Sequence, residues 1–359
     1  MLAELVQNFV IVLMLTCQSR SSDPLDIILY TATPLVGNDS NSWFRGYALQ
    51  DDKDIRHLSV GVLYKNIDGK DNVTWDDITG EVRNYNSYME MPDDKIFHTS
   101  SRIAYRVHGD FAYLGVLTLP TQTDRVGVFS FEAKKGGIVT NSAIVLTSAS
   151  AIIEFEYRTI TVSIGESVRI NIRNGSFIDN IRWRHNYEEL YNLRNASSVV
   201  IENIHIKDDG VFECYIGDNP DGNHGIMRLI VRACPSPKWS LPDCEMDCPV
   251  CYNNGVCDDK TGVCICPAGF DGDACKHDCG NNNWGRDCLN VCSSKPGSTC
   301  RGALVCPPDP VGCTCVNGFE GNDCDTGFYY IRFSSALLDT LEQTVAKNAT
   351  VMIAIVIYT

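Results

Sequence analysis

Between Ile27 and Ile230 the apolar residues come in short runs rather than at helical spacing. Runs rich in Val, Ile, Tyr, Phe and Thr cover Ile27–Thr31, Leu58–Tyr64, Ala112–Leu119, Val126–Phe131, Ile152–Ile164, Val168–Ile172 and Met227–Val231, and clusters of Gly, Asp and Asn separate them. From Gly165 to Ile172 apolar and polar side chains alternate, the period of a strand with one face in a core. The pattern therefore predicts strands and no long amphipathic helix. Short strands with turn signals between them predict β-sandwiches, and about 205 residues is room for two.

The pattern changes at Cys234. Large aliphatic residues thin out, and sixteen of the 18 cysteines fall between Cys234 and Cys324. They form two sets in the same order: Cys234, Cys244, Cys248, Cys251, Cys257, Cys264, Cys266, Cys275, then Cys279, Cys288, Cys292, Cys300, Cys306, Cys313, Cys315, Cys324. Five of the seven spacings are identical, Trp239 and Trp284 each sit five residues after the first cysteine, and Gly269-Phe270-x-Gly272 matches Gly318-Phe319-x-Gly321. Such a repeat predicts two small modules stapled by four disulfides each, because segments this poor in aliphatic residues cannot build a core of normal size.

Disulfides need an oxidising compartment. The apolar run Leu5–Cys17, followed by small and polar residues through Ser22, fits a secretory signal over 1–22, although Glu4 stands where a basic residue is usual. Five sequons, at Asn38, Asn72, Asn174, Asn195 and Asn348, fit the same route. A net charge of −15 without a basic cluster argues against nucleic acid or an anionic membrane surface as partner. No run reaches the length of a membrane span, and Val351–Tyr358 is short enough to be a truncated anchor or an unrelated tail.

Sequence spacing makes the second sandwich the better defined. Trp183 follows Ile172 by eleven residues, and Asp208-Asp209-Gly210-Val211-Phe212-Glu213-Cys214 places Cys214 thirty-one residues after Trp183. This resembles an immunoglobulin domain: strand B, the core tryptophan of strand C, and the turn into strand F. Two departures matter. Ile172 stands where strand B has its cysteine, leaving Cys214 unpaired, and Phe212 replaces the tyrosine of the corner. The first sandwich has no cysteine; Val126–Phe131 resembles a strand F with Phe131 at the cysteine position.

Two cysteine-poor sandwiches followed by tandem eight-cysteine EGF-like modules resemble the outer part of the Tie receptor tyrosine kinases. The similarity is carried by Arg228-Leu229-Ile230-Val231-Arg232 before Cys234, Lys238-Trp239, Asn253-Asn254-Gly255-Val256-Cys257, Thr261–Pro267, Trp284–Cys288, Cys306–Cys313 and Asn174–Ile178. The fold class is thus all-β and disulfide-rich: two immunoglobulin-like β-sandwiches over 23–148 and 149–233, EGF-like modules over 234–275 and 276–324, and a truncated or divergent tail over 325–359.

The resemblance implies Cys234–Cys244, Cys248–Cys257, Cys251–Cys264 and Cys266–Cys275 in the first module. In the second, Cys279–Cys288 and Cys315–Cys324 follow by position, while Cys292, Cys300, Cys306 and Cys313 can pair crosswise or as neighbours. It implies a protein that is secreted or on the extracellular face of the plasma membrane, bound by a secreted angiopoietin-like protein, with receptor self-association as a second partner. In the family the ligand docks on the tip of the second immunoglobulin-like domain; Phe177 matches a phenylalanine there, flanked by Ser176 and Ile178, and Arg184 and His185 match a nearby Arg-His pair. The cysteine-rich pair is expected to hold that domain at a fixed distance and angle. The alternative is a secreted or matrix adhesion protein with such modules as spacers.

Other chemistry is weak. Cys248-x2-Cys251 and the C-x-C pairs have zinc-like spacings, but zinc needs thiolates that an oxidising compartment removes. Neither Ala233 nor Lys276-His277-Asp278 offers the carboxylates of a calcium-binding module. The histidines are scattered and no kinase or hydrolase signature occurs, so no enzymatic activity, cofactor, metal or small-molecule substrate is expected.

Overall fold

The computed structural model describes residues 27–37, 45–49, 57–65, 76–77, 103–108, 111–117, 126–135, 138–173, 179–186, 188–217, 224–280, 282–292 and 299–327. Among them there is no α-helix, only strands and three-residue 3-10 turns.

The first sandwich contains β1 (Ile27–Thr31), β2 (Leu35–Val36), β3 (Arg45–Leu49), β4 (His57–Lys65), β5 (Asp76–Asp77), β6 (Ile103–His108), β7 (Phe111–Leu117), β8 (Gly127–Lys135) and β9 (Ile138–Ser148). One sheet runs β2-β9-β8-β4-β5, with β2 parallel to β9; the other contains β1-β3-β7-β6. This is the immunoglobulin arrangement, in which the first strand crosses from one sheet to the other. β8 lies between β9 and β4, the place of strand F.

The second sandwich repeats the plan. β10 (Glu154–Phe155), β12 (Val168–Arg173) and β15 (Ser198–Ile201) form one sheet. β11 (Thr159–Ser163), β13 (Ile181–His185), β14 (Glu188–Glu189), β16 (Gly210–Ile216) and β17 (Gly225–Arg232) form the other, in the order β11-β17-β16-β13-β14. The continuous run Ile152–Ile164 is therefore two strands. The chain changes sheets at Glu156–Arg158, pairing β10 with β12 and β11 in parallel with β17.

Its core is Ile153, Phe155, Ile170, Ile172, Ile181, Trp183, Phe212, Cys214, Met227 and Leu229 with their neighbours. Phe155 meets Trp183 edge-on at 5.6 Å, and the indole N–H of Trp183 donates to the Ala196 carbonyl at 2.9 Å. Cys214 is a free, buried thiol opposite Trp183 on the neighbouring strand. Burial pushes its pKa up beyond the ordinary thiol range, since no charged partner offsets desolvation of a thiolate.

Eight disulfides staple the cysteine-rich part. The first module pairs Cys234–Cys244, Cys248–Cys257, Cys251–Cys264 and Cys266–Cys275. The second pairs Cys279–Cys288, Cys292–Cys300, Cys306–Cys313 and Cys315–Cys324, so its inner four cysteines join as neighbours.

The modules are not strung out beyond the sandwiches. Strand Leu304–Cys306 pairs antiparallel with β1, and Thr314–Cys315 pairs with Leu304–Cys306, extending the first sandwich's sheet to six strands. Leu304, Cys306 and Cys324 join the core of Ile27, Leu29, Phe129 and Ile144. On the other face of β1, Ile28 and Tyr30 pack with Trp284, Ala303 and Val305, and Tyr30 stacks on Trp284 with centroids 5.3 Å apart. Both faces of β1 are buried, which is why its sequence is apolar without alternation. The second module is thus folded back onto the first domain.

Candidate recognition site and the clamp beneath it

Strand β17 joins the second sandwich to its surroundings. Arg228 and Arg232, two residues either side of Ile230, project toward different modules. The Arg228 guanidinium forms a fork on Asp309, with Nη1 to Oδ1 at 2.6 Å and Nη2 to Oδ2 at 2.7 Å. Both residues are largely buried. Burial alone would lower the Arg228 pKa, but the Asp309 carboxylate and its hydrogen bonds outweigh it and hold the value above normal. Arg232 reaches the first module, with Nη2 2.6 Å from Asp259 Oδ1 and 2.8 Å from the Lys238 carbonyl. Here burial wins on the acid: Asp259 is raised despite the arginine and the amides of Ala233 and Cys234.

The loop carrying Asp309 is fastened on both sides. Its amide donates to the Asn141 carbonyl at 2.7 Å, and Thr161 Oγ1 donates to the Pro310 carbonyl. Gly312 has φ +73, and a Cβ there would collide with the Thr159 side chain, so this approach needs glycine. Ser142 Oγ donates to the Cys306 carbonyl at 2.7 Å. Arg158, buried where the chain changes sheets, donates to the carbonyls of Asn322 at 2.7 Å and Val145 at 2.9 Å. Burial lowers its pKa to about 10, with Glu154 and Asp323 opposing the shift. One arginine thus ties first sandwich, second sandwich and second module together.

The outer face of β16 and β17 rests on the first sandwich. Val211 and Ile226 join its core cluster, and Glu213, directly opposite Ile226, is wholly buried with Oε1 3.2 Å from His224 Nε2.

Of the candidate ligand contacts, Ser176, Phe177 and Ile178 lie outside the described residues, as do the sequons Asn38, Asn72, Asn174 and Asn348. The described strands on either side of that segment are β12, which ends at Arg173, and β13, which begins at Ile181. Arg184 and His185 are described, on opposite faces of β13. The Arg184 guanidinium lies 4.8 Å from the Tyr215 ring centroid. His185 stacks on Phe212 at 4.4 Å, and its Nε2 is 3.1 Å from the Asp209 carbonyl. The two side chains are not brought together on one surface. Among the described residues one cluster has metal-ligand spacing, Asp271, His277 and Cys288, but the Cys288 sulfur is already bonded to Cys279.

Sequence reasoning missed the clamp as an interaction, although it singled out both halves, Arg228–Arg232 and Cys306–Cys313. The one available signal was a pair of arginines in an otherwise apolar strand, a pattern that asks for partners when the strand is buried.

The fold and the eight bridges define an assembly of immunoglobulin-like sandwiches and disulfide-stapled EGF-like modules, of a kind that forms in an oxidising compartment. Residues 244–275 match the EGF-like domain family. The chain is 43% identical over 98 residues to the angiopoietin-1 receptor of Danio rerio, a match covering 27% of this chain and 8% of that protein. It is 37% identical over 91 residues to stabilin-2 of Mus musculus, covering 23% of this chain and 3% of that protein. The chain therefore spans a small fraction of the relatives it matches. Among solved structures, the N-terminal four Ig domains of Dscam1 isoform 6.9 align over 48% of this chain and 37% of theirs, with a TM-score of 0.20 and 12% identity. Among the described residues no helix is long and apolar enough to cross a membrane.

Proposed function

We propose that this chain is the ligand-recognition portion of a Tie-like receptor and binds an angiopoietin-like protein through the end of its second sandwich that holds Phe177. The observation that carries the reading is the 43% identity over 98 residues to the angiopoietin-1 receptor. The clamp gives it a physical rationale: a recognition loop works best on a support that does not move, and the second sandwich is fixed to both modules and to the first domain. In this reading Phe177 is the aromatic anchor, Ser176 and Ile178 flank it, and Arg184 and His185 are further ligand contacts on the strand that follows. The chain carries out no reaction of its own, and self-association of the full receptor, through surfaces other than the β15 edge, is its second interaction.

The test is Phe177→Ala, measured by surface binding to the fibrinogen-like domain of an angiopoietin. A hot-spot truncation of about 2 kcal/mol or more corresponds to at least a thirtyfold loss of affinity. Unchanged affinity, with unchanged thermal unfolding, would falsify the docking site.

A further inference from the structure

Among the described residues the two sheets of the second sandwich end on β10, β15, β11 and β14, and the ends at β14 and β15 differ. At one edge β14 is Glu188-Glu189, where charge discourages pairing with another chain. At the other, β15 ends its sheet: it pairs with β12 on one side and, among the described residues, with no strand on the other. Its residues, Ser198-Val199-Val200-Ile201, carry no charge and no proline, and its register with β12 has no bulge. Val200 is 48% exposed. By the ordinary rules such an edge is a template for a second strand.

Three residues before β15 is the sequon Asn195-Ala196-Ser197. Asn195 is exposed and adopts φ 61, a left-handed turn that asparagine tolerates. Its Oδ1 accepts from the Ile181 amide at 3.1 Å, and its own amide donates to the Ile181 carbonyl at 2.9 Å. The Oδ1 bond fixes the orientation of the side-chain amide and leaves Nδ2 without a partner among the described residues. An N-linked sugar replaces one hydrogen on Nδ2 and leaves Oδ1 an acceptor, so the folded turn accommodates it without losing a bond.

We infer that Asn195 carries an N-linked glycan, and that this glycan guards the open edge of β15 against pairing with a second copy of the chain. In the modification, Nδ2 displaces a lipid pyrophosphate from the anomeric carbon of its oligosaccharide. The N–C bond forms, the C–O bond breaks with its electron pair on the pyrophosphate, and one amide proton is lost to base. The bulk and hydration of the sugar supply what charge supplies at β14. Asn195, bonded to Ile181 at the start of β13, lies at the end of the sandwich where β12 ends and β13 begins, and the experiment that tests the guard is carried out without any ligand.

The experiment compares the chain secreted from eukaryotic cells with its Ser197→Ala variant, which removes the acceptor motif but keeps Asn195 and its bonds to Ile181. Glycopeptide mass spectrometry reads occupancy, and sedimentation across a dilution series reads mass. The wild type is expected to be occupied at Asn195 and monomeric in this assay. Ser197→Ala is expected to be unoccupied and to show a doubled mass at high concentration. Adding Val200→Lys, which places a charge on the edge, is expected to restore the monomer. An unoccupied Asn195 in the wild type overturns the modification. A Ser197→Ala variant that stays monomeric, or whose dimer survives Val200→Lys, overturns the guard.

Discussion

Residues 153–232 and 234–324 are close in length and held in different ways. The second sandwich encloses Ile153, Phe155, Ile170, Trp183, Phe212 and Leu229 in a core without a single bridge, and its one cysteine is a free thiol. The modules after it have eight bridges and few large buried side chains of their own. The bridges do not make the second module self-sufficient. Trp284 is buried because Tyr30 and Ile28 of the first sandwich cover it, whereas Trp239, at the same place in the repeat, is half-exposed and lies against Gly262 of its own module. Staples limit what the unfolded chain can explore, but burial still has to come from a partner surface.

Reduction should separate the two regions most sharply. Each native bridge in a small module contributes about 2–5 kcal/mol, so breaking eight should unfold both modules. The first sandwich should weaken with them, because Leu304 and Cys306 belong to its sheet and core. The second should persist. Hydrogen exchange under reducing conditions would then show β16 protected while β1 exchanges. Equal loss in both strands would mean that the second sandwich depends on the staples as much as its neighbours do.

Breaking the clamp is the next largest effect. Removing one partner of a buried ion pair leaves the other charge uncompensated, at a cost of about 3–5 kcal/mol. Arg228→Ala is expected to lower the unfolding free energy by that order, and Asp309→Asn by less, because the amide oxygen can still accept from the guanidinium. If Arg228→Ala destabilises no more than an exposed substitution, within about 0.5 kcal/mol, then the fork does not hold the modules together.

The clamp also marks what could be read from the sequence. Strand positions, the stapled repeat and the unpaired Cys214 follow from local period and spacing, and the structure has strands in all seven predicted runs, with Ile152–Ile164 divided where the chain changes sheets. The fold-back does not follow from them. It joins β1 to Leu304–Cys306 and Arg228 to Asp309, and no local period encodes a pairing between segments so far apart. The unbroken apolar run Ile27–Tyr30 did hold a trace of it, since a strand with one exposed face would alternate. Of the candidate ligand residues, Phe177 falls outside the described residues, and Arg184 and His185 lie on opposite faces of their strand, as adjacent positions of any strand do.

The smallest expected effect is at Cys214, and it tests whether a bridge-free core is tightly closed. A buried thiol with a raised pKa has almost no thiolate at neutral pH, so alkylation should proceed only through unfolding. The folded state also keeps its proton to higher pH than the unfolded chain does. Stability from this group is therefore fully present below the unfolded value of 9.0 and declines as pH rises above it. Cys214→Ala removes one sulfur, and its cost should stay near the low end of core truncations, about 1 kcal/mol. Cys214→Ser buries a hydroxyl in an apolar site and should cost more, about 1–3 kcal/mol. Measured maleimide labelling as fast as that of free cysteine, with the protein still folded, would show that the core opens locally where an immunoglobulin domain has its bridge, and that the missing disulfide is a weakness packing has not replaced.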